Sequence, residues 1–122
     1  MEGKGMTERA SLGFARKYRL GNNKNYRYVY RRGKSHPSKN LVLIYLKGKE
    51  QRFGFSVSSK VGNAVTRNRV RRLIKENYRL MESEIRDGFD IVIVARAKMA
   101  TSDFHASGAS LRTLFGKCGL LA

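Results

Sequence analysis

Cysteine, proline and acidic residues are all scarce in this sequence of 122 residues. The single cysteine, Cys118, excludes a disulfide within the chain and predicts an inert thiol in a reducing compartment. No apolar stretch approaches the roughly 20 residues of a membrane-spanning helix. The N-terminus also lacks the run of about 7–15 apolar residues that marks a signal peptide. These absences predict a cytoplasmic protein.

Residues that carry out chemistry are also few. The two histidines, His36 and His105, lie far apart in the sequence, and with one cysteine they cannot form a conventional zinc site. Ser102, Asp103 and His105 crowd one short segment, where capping of a helix is a better account than a catalytic triad. Neither a P-loop nor a GxGxxG motif is present. We therefore predict no catalytic residue and no metal ligand in the protein.

Positive charge is the feature that the sequence has in excess. Lysine and arginine number 26 against 9 acidic residues, which gives a formal net charge of +17. Such an excess repels itself in a compact state and indicates a polyanionic partner. Nucleic acid is the first candidate, and an anionic membrane surface is the second.

The order of hydrophobic patterns predicts an α+β fold in a single domain. Residues 1–22 are polar and basic and are expected to form a flexible segment, so the domain spans residues 23–122. A first helix begins after Asn22 or Asn23 and ends at Gly33. The remaining expected elements are a loop at 35–39, strands at 41–46, 52–58 and 90–95, a long helix at 64–81 capped by Asn63, and a last helix around 111–118.

The strand at 52–58 alternates strictly between large and small side chains. Phe53, Phe55 and Val57 lie on one face. The opposite face carries Gly54, Ser56 and Ser58. A face with so little side-chain volume leaves room for a bulky group to lie across it, although a solvated outer face would show the same pattern.

The long helix carries most of the clustered charge. On a wheel of about 100° per residue, one apolar stripe contains Val70, Leu73, Ile74, Asn77 and Met81. Beside it lies a broad cationic arc, the residues Arg67, Asn68, Arg71, Arg72, Lys75 and Arg79, while Arg69 stands alone on the far side. Like charges four residues apart along this arc each cost about 0.2–0.5 kcal/mol. A row of phosphates would relieve that repulsion, so we predict that the arc binds nucleic acid.

Two tyrosines of the first helix suggest a second binding element. Tyr26 and Tyr30 are one helical turn apart, and aromatic rings near a basic surface often stack on unpaired bases. On their own they are also typical of an amphipathic core. Next to the small face of 52–58 and the cationic arc, they favour a cleft for single-stranded nucleic acid.

The stretch FGFSVSSKVGNAVTRNRVRRLIKENYR (53–79) resembles the signature of the bacterial ribonuclease P protein subunit, including its RNR motif at residues 67–69. NYRYVYRRGKS (25–35) is similar to the aromatic first helix of that family, and FDIVIVAR (89–96) is similar to a later strand. The resemblance implies a two-layer α/β sandwich in the order αβββαβα, with a left-handed βαβ crossover. It also implies an RNA-binding domain.

The functional implication of this resemblance is a subunit of the ribonucleoprotein endoribonuclease that removes the 5′ leader of precursor tRNA in the cytoplasm. The catalytic centre would lie in the RNA, which would also hold most of the magnesium ions. The expected partners are the ribonuclease P RNA and precursor tRNA, without a membrane. One protein, itself monomeric, would join one RNA.

The resemblance also assigns roles to individual residues. With Arg71 and Arg79 added from the cationic arc, the predicted RNA-binding set around the long helix is Lys60, Arg67, Asn68, Arg69, Arg71, Arg72, Lys75 and Arg79. The leader cleft is expected to contain Tyr26, Tyr30, Ile44, Ser56 and Ser58. The sequence departs from the family in three respects. Ser59 replaces a frequent lysine, and Tyr26 and Tyr30 stand where phenylalanine is common, a change that retains stacking. Either Ile44 or its neighbour Tyr45 stands where an aromatic cleft residue is common.

Two other classes of protein would carry a similar charge. A structural RNA-binding protein of the ribosomal type is the main alternative, but it has no need of an aromatic cleft. A membrane-surface protein is disfavoured, because the basic helix offers no exposed large apolar face.

Overall fold

The computed structural model describes residues 23–122, which form one four-stranded sheet and three α-helices. The expectation of a flexible segment at 1–22 lies outside the described residues. The elements are α1 (Asn23–Arg32), β1 (Lys34–Pro37), β2 (Leu41–Lys47), β3 (Arg52–Ser56), α2 (Ala64–Met81), β4 (Phe89–Ala95) and α3 (Phe104–Lys117), with short 3₁₀ helices at Glu82–Glu84 and Ala97–Thr101. The α+β class and the order αβββαβα are thereby confirmed.

The sheet has the strand order β1-β2-β4-β3. The pairs β1–β2 and β2–β4 are antiparallel, whereas β3 and β4 are parallel and are connected through α2. The handedness of that βαβ connection stays a prediction. Because β3 is an edge strand, one of its sides is open to other elements of the molecule.

The two faces of the sheet are covered by different helices. Leu43 and Ile93 point into the main core, which they share with the buried faces of α2 and α3. Their neighbours Ile44 and Val92 point the other way, onto Val29 of α1. The helix α1 therefore covers part of the face opposite the main core.

Helix α2 begins and packs largely as its sequence predicts. The side chain of Asn63 accepts a hydrogen bond of 3.0 Å from the backbone N–H of Thr66, which caps the helix. Of the expected apolar stripe, Val70, Ile74, Asn77 and Met81 are buried and Leu73 is partly buried. Tyr78 was not expected there, yet it is fully buried and stacks on Phe53 with ring centroids 3.7 Å apart.

The expectation of a loop at 35–39 was wrong in its first half. Residues 34–37 form β1, which pairs with β2 from Lys34 opposite Tyr45 to Pro37 opposite Val42. An edge strand tolerates a proline at its end, because that position does not require an N–H donor. Local composition indicated a turn here, and pairing with β2 overrides it.

Gly33 ends α1, as expected, and directly precedes β1. Its N–H donates to the carbonyl of Val29 at 2.7 Å, closing the last turn of the helix. A Cβ at this position would lie 2.6 Å from that oxygen and 2.8 Å from the carbonyl oxygen of Tyr45. Only glycine therefore lets the chain pass so close to β2.

Candidate nucleic-acid interface

The cationic arc of α2 divides into an exposed part and a half-buried part. Asn68, Arg72 and Arg79 are exposed, whereas Arg67, Arg71 and Lys75 are partly covered. The buried Tyr78 lies at a similar angle around the helix to Arg67 and Arg71, two to three turns further along, so this side of the arc borders the core. Arg67, whose place in the cationic arc predicts an exposed side chain, is instead partly buried.

Arg67 and Arg71 differ in how their guanidinium groups are held. Nη1 of Arg71 donates to Oδ1 of Asn68 at 2.7 Å, so these two side chains form one polar unit on the helix. The Nε atom of Arg67 is buried and has no hydrogen-bond partner among the described residues. Burial of an unpaired polar atom costs about 1–3 kcal/mol, so this position is not optimised for the stability of the free protein.

Arg69 has a different setting from the rest of the RNR motif. It lies on the far side of the helix, as the wheel indicates, and donates to the backbone carbonyls of Ala100 and, at 2.9 Å, Ser102. The side chain thereby ties α2 to the segment that leads into α3. This contact gives Arg69 a structural role, and its predicted contact with RNA stays a prediction.

A cleft of about 510 Å³ opens between α1 and β3. Its described lining consists of Tyr26, Arg27, Tyr30, Phe55 and Ser56. The rings of Tyr26 and Tyr30 are tilted by 43° with centroids 6.4 Å apart, so both border the same space. The expected meeting of the two tyrosines with the small face of β3 is thus found at Ser56.

Tyr26 and Tyr30 are not equivalent within this cleft. The ring of Tyr26 lies over Gly54, where a Cβ would approach its hydroxyl to 2.5 Å. Burial raises the pKa of the Tyr26 hydroxyl, and a hydrogen bond with the backbone of Phe55 opposes part of that rise. Tyr30, by contrast, is 42% exposed. Tyr26 thus helps to build the cleft, whereas Tyr30 offers it an accessible ring.

Phe55 is a cleft residue that the alternation of β3 assigned only to the core. It is partly buried, with its ring centroid 5.8 Å from that of Phe53, and it also lines the cleft. The Nζ atom of Lys75 lies 5.9 Å from the centre of its ring. Phe55 therefore joins the cleft to the cationic arc. The sequence alone could not have identified Phe55 as a cleft residue. Its place beside the cleft follows from its position near the end of an edge strand, which only the sheet order shows.

The remaining predicted cleft residues lie outside the described lining. Ile44 is 8% exposed and packs against Val29 and Val92, so it forms part of the sheet surface on which α1 lies. Tyr45 faces the other side of the sheet, where it stacks on His36. Strand β3 ends at Ser56, and the exposed Ser58 accepts a hydrogen bond of 3.3 Å from the backbone N–H of Lys60 in the turn before α2. Lys60 is itself exposed at the entrance to the cationic helix.

The segment that contains Ser102, Asp103 and His105 has a structural role, as expected. The carboxylate of Asp103 accepts a hydrogen bond of 2.8 Å from the backbone N–H of Ala106 and caps α3. The hydroxyls of Ser102 and Ser107 lie 2.9 Å apart.

Among residues 23–122, no helix has both the length and the apolar character needed to cross a membrane.

Comparisons with known proteins point to one family. A family model described as Ribonuclease P matches residues 14–119. The ribonuclease P protein component of Clostridium botulinum (strain Loch Maree / Type A3) is 44% identical over 105 residues, covering 84% of this chain and 95% of the relative. That of Clostridium perfringens (strain SM101 / Type A) is 46% identical over 110 residues, covering 83% and 88%.

Solved structures show the same fold. The RNase P protein of Staphylococcus aureus has a TM-score of 0.75 at 28% identity, covering 86% of this chain and 98% of that one. The RNase P protein of Thermotoga maritima has a TM-score of 0.69 at 28% identity, covering 75% and 89%. Together with the aromatic cleft and the cationic helix, these matches place the chain in the ribonuclease P protein family, the tRNA-processing protein components that join the RNA of this ribonucleoprotein endoribonuclease.

Proposed function

We propose that the cleft between α1 and β3 binds the single-stranded 5′ leader of precursor tRNA, while the cationic arc of α2 lies against the catalytic RNA. The observation that carries this proposal is the cleft itself, with an accessible Tyr30 beside Phe55 and Arg27. A structural RNA-binding protein of the ribosomal type would not need such a cleft, and family membership argues against that alternative.

The chemistry of the lining suits an unpaired strand better than a duplex. Base faces can stack on tyrosine and phenylalanine rings only when they are not already paired and stacked in a helix. Arg27 is exposed at the cleft and supplies a positive charge for the phosphate backbone. The cleft therefore offers stacking and charge together, without a fixed set of contacts that would select one base sequence.

The exposed part of the cationic arc suits a structured RNA surface. Arg72 and Arg79 can each grip phosphate oxygens with two parallel hydrogen bonds. Asn68 adds an amide that can contact a 2′-hydroxyl. The contact between Lys75 and Phe55 brings this surface next to the cleft, so one protein could hold the catalytic RNA and the leader side by side.

The magnesium ions of the holoenzyme are proposed to be held by the RNA. Within residues 23–122, no three acidic, histidine or cysteine side chains come together as a group that could hold a metal ion. A holoenzyme of one monomeric protein and one RNA, working in the cytoplasm, completes the proposal.

The substitution Tyr30→Ala tests the cleft, with Tyr28→Ala as the matched control. Both tyrosines belong to α1 and are about equally exposed, at 42% and 48%, but only Tyr30 lines the cleft. In the reconstituted holoenzyme, Tyr30→Ala should weaken the binding of precursor tRNA by about 1–3 kcal/mol, the value of one lost stack. Mature tRNA, which has no leader, should bind as before.

Dissociation constants for both tRNAs at one fixed salt concentration give the answer. Tyr28→Ala should leave both values unchanged. If Tyr30→Ala weakened mature tRNA as much as precursor tRNA, the ring would support a general RNA surface, and leader binding in this cleft would be refuted.

A further inference from the structure

Three aromatic rings form a row at one corner of the sheet, on the face of the main core. The ring of His36 in β1 stacks on that of Tyr45 in β2, with centroids 5.9 Å apart and planes inclined by 21°. Tyr45 in turn meets the ring of Phe89 in β4, at 6.0 Å and 71°. Tyr45 and Phe89 pack against the main core, and all three side chains are only partly buried. This aromatic row therefore runs from the core to the outer strand of the sheet.

The outer end of the aromatic row lies on a part of the sheet that the described helices leave largely uncovered. Helix α1 packs on β2 and β4, α2 packs on β3, and α3 packs on β2. The main packing partner of β1 is β2. Because His36 ends the row and is partly exposed, a further planar group can extend the stack there.

The surroundings of the aromatic row favour an anionic ligand. Lys34 is exposed and is the register partner of Tyr45, so its side chain leaves the sheet on the same face as the rings. The four strands contain one acidic residue, Asp90. Its register partner Leu46 belongs to the opposite face, where Asp90 pairs with Arg52 at 2.9 Å. The rings therefore share their face with a lysine and with no carboxylate of the strands.

We propose that the aromatic row is a second contact with the catalytic RNA, in which an unpaired base stacks on His36 and Lys34 binds a neighbouring phosphate. Aromatic rings beside a cation hold unpaired bases with little regard to sequence, and the family to which this chain belongs joins the ribonuclease P RNA. The choice of ligand rests on that family partnership and does not depend on the role proposed for the cationic arc.

The position of the row separates this contact from the 5′ leader. His36 lies on β1 and the aromatic cleft borders β3, and these are the two opposite edges of the sheet. The row also lies on the face of the main core, which α2 and α3 share, whereas α1 packs on the other face. An RNA that lies against α2 and extends past α3 therefore meets His36 without entering the cleft.

Substitutions of His36 test the stack, with the other histidine as the matched control. His36→Ala removes the outer ring, whereas His36→Phe retains a ring that can stack. His105→Ala changes the exposed histidine at the start of α3, outside the row. Lys34→Ala tests the cation, and Lys49→Ala removes the same charge from an exposed lysine in the turn after β2. Each variant is titrated with ribonuclease P RNA in the absence of tRNA, and its free energy of unfolding is measured in parallel.

His36→Ala should weaken the binding of ribonuclease P RNA by about 5- to 150-fold, the value of one lost stack. His36→Phe should retain most of the affinity, and His105→Ala should retain all of it. Lys34→Ala should weaken binding by about two- to fivefold and flatten the log–log salt slope by about 0.7, whereas Lys49→Ala should change neither quantity. In the assembled holoenzyme, the ratio of the affinities for precursor and mature tRNA should not change.

Chemical probing of the RNA gives an independent measurement. Unpaired nucleotides at this contact should be protected by the unmodified protein and by His36→Phe, and should become reactive with His36→Ala. This pattern also distinguishes a lost contact from partial unfolding, because a less stable protein would lose protection over the whole RNA interface.

Three results would overturn the inference. Unchanged affinity and protection with both His36→Ala and Lys34→Ala would mean that the row does not meet the catalytic RNA and is free for another partner. An equal loss with His36→Ala and His36→Phe would exclude stacking as the contact. A loss confined to precursor tRNA would assign the row to the leader. Each result leaves the aromatic cleft and the cationic arc to be judged by substitutions in those elements.

Discussion

At the scale of single residues, the same residue type has different roles one helical turn apart. Tyr26 is held over Gly54 and bonded to the backbone of Phe55, so its removal would disturb the wall of the cleft. Tyr30 and Tyr28 are exposed, and the surroundings of their rings decide which of them can meet a leader. A comparison of Tyr30 with Tyr28 is therefore more informative than a double substitution that includes Tyr26.

Arg67 allows the effects of one residue on stability and on RNA binding to be tested separately. Its Nε atom is buried without a partner among the described residues, so Arg67→Met, which retains an unbranched apolar chain, should raise the free energy of unfolding by about 1 kcal/mol. The same change should weaken binding of the catalytic RNA by about 1.5–3 kcal/mol through loss of a charge-assisted hydrogen bond. Denaturant unfolding and RNA titration measure the two quantities.

The control for Arg67 is Arg72→Met, on the exposed side of the same helix. It should weaken RNA binding to a similar degree and leave the free energy of unfolding unchanged, because its guanidinium is solvated in the free protein. A marked loss of stability in Arg67→Met would show that the guanidinium supports the fold, contrary to this account.

At the scale of elements, the contact between α2 and α3 depends on a buried amide and a glycine. Nδ2 of Asn77 donates to the carbonyl of Leu73 at 2.9 Å and to that of Phe104 at 3.1 Å, so this polar residue satisfies its donors within the core. Gly108 of α3 faces the same amide, and a Cβ there would lie 2.6 Å from Oδ1 of Asn77. The glycine that weakens α3 locally thus permits the close approach of the two helices.

The substitution Gly108→Ala should therefore destabilise the protein by about 1–3 kcal/mol, the usual cost of overpacking. Gly116→Ala is the matched control within α3, since the nearest atom to its added Cβ would be Leu121 Cδ1 at 3.9 Å. There the higher helix propensity of alanine should instead stabilise the protein by up to about 1 kcal/mol. Thermal or denaturant unfolding of both variants measures the difference, and a stabilised Gly108→Ala would refute the proposed packing.

At the scale of the whole molecule, the net charge of +17 drives association with RNA, but its placement decides which charges take part. The ion pairs Arg52–Asp90 and Arg112–Glu84 use two arginines outside α2. Arg72 and Arg79 remain exposed on the long helix. Local charge should therefore matter more to binding than total charge.

Salt dependence tests this view. Affinity for the catalytic RNA should fall steeply between about 50 and 200 mM salt, as for proteins that neutralise about 6–10 phosphates. The variant Arg72→Ala/Arg79→Ala should reduce the log–log slope by about two, one for each phosphate contact. The variant Lys47→Ala/Lys49→Ala has the same net charge and should keep the slope of the unmodified protein. Equal slopes for the two variants would mean that only the total charge acts.

The sequence alone determined the features that depend on neighbours along the chain. The helix 64–81 with its Asn63 cap and cationic arc, the strands around 41–46, 52–58 and 90–95, and the pairing of Tyr26 with Tyr30 all follow from local periodicity and capping. These features can be predicted from the sequence because the hydrophobic pattern of a helix or strand repeats every few residues along the chain. The family signature at 53–79 is likewise contiguous.

Tertiary structure decided what depends on residues distant in the chain. The order of the strands makes β3 an edge and brings Phe55 to the cleft. Tyr78 is buried because it stacks on Phe53, a residue 25 positions earlier in the chain. The end of β4 meets the turn between β1 and β2 through a hydrogen bond from Arg96 to the carbonyl of Ser38, 58 positions earlier in the chain. No local pattern encodes these contacts, since each arises from the packing of two elements whose meeting is set by the sheet and the core.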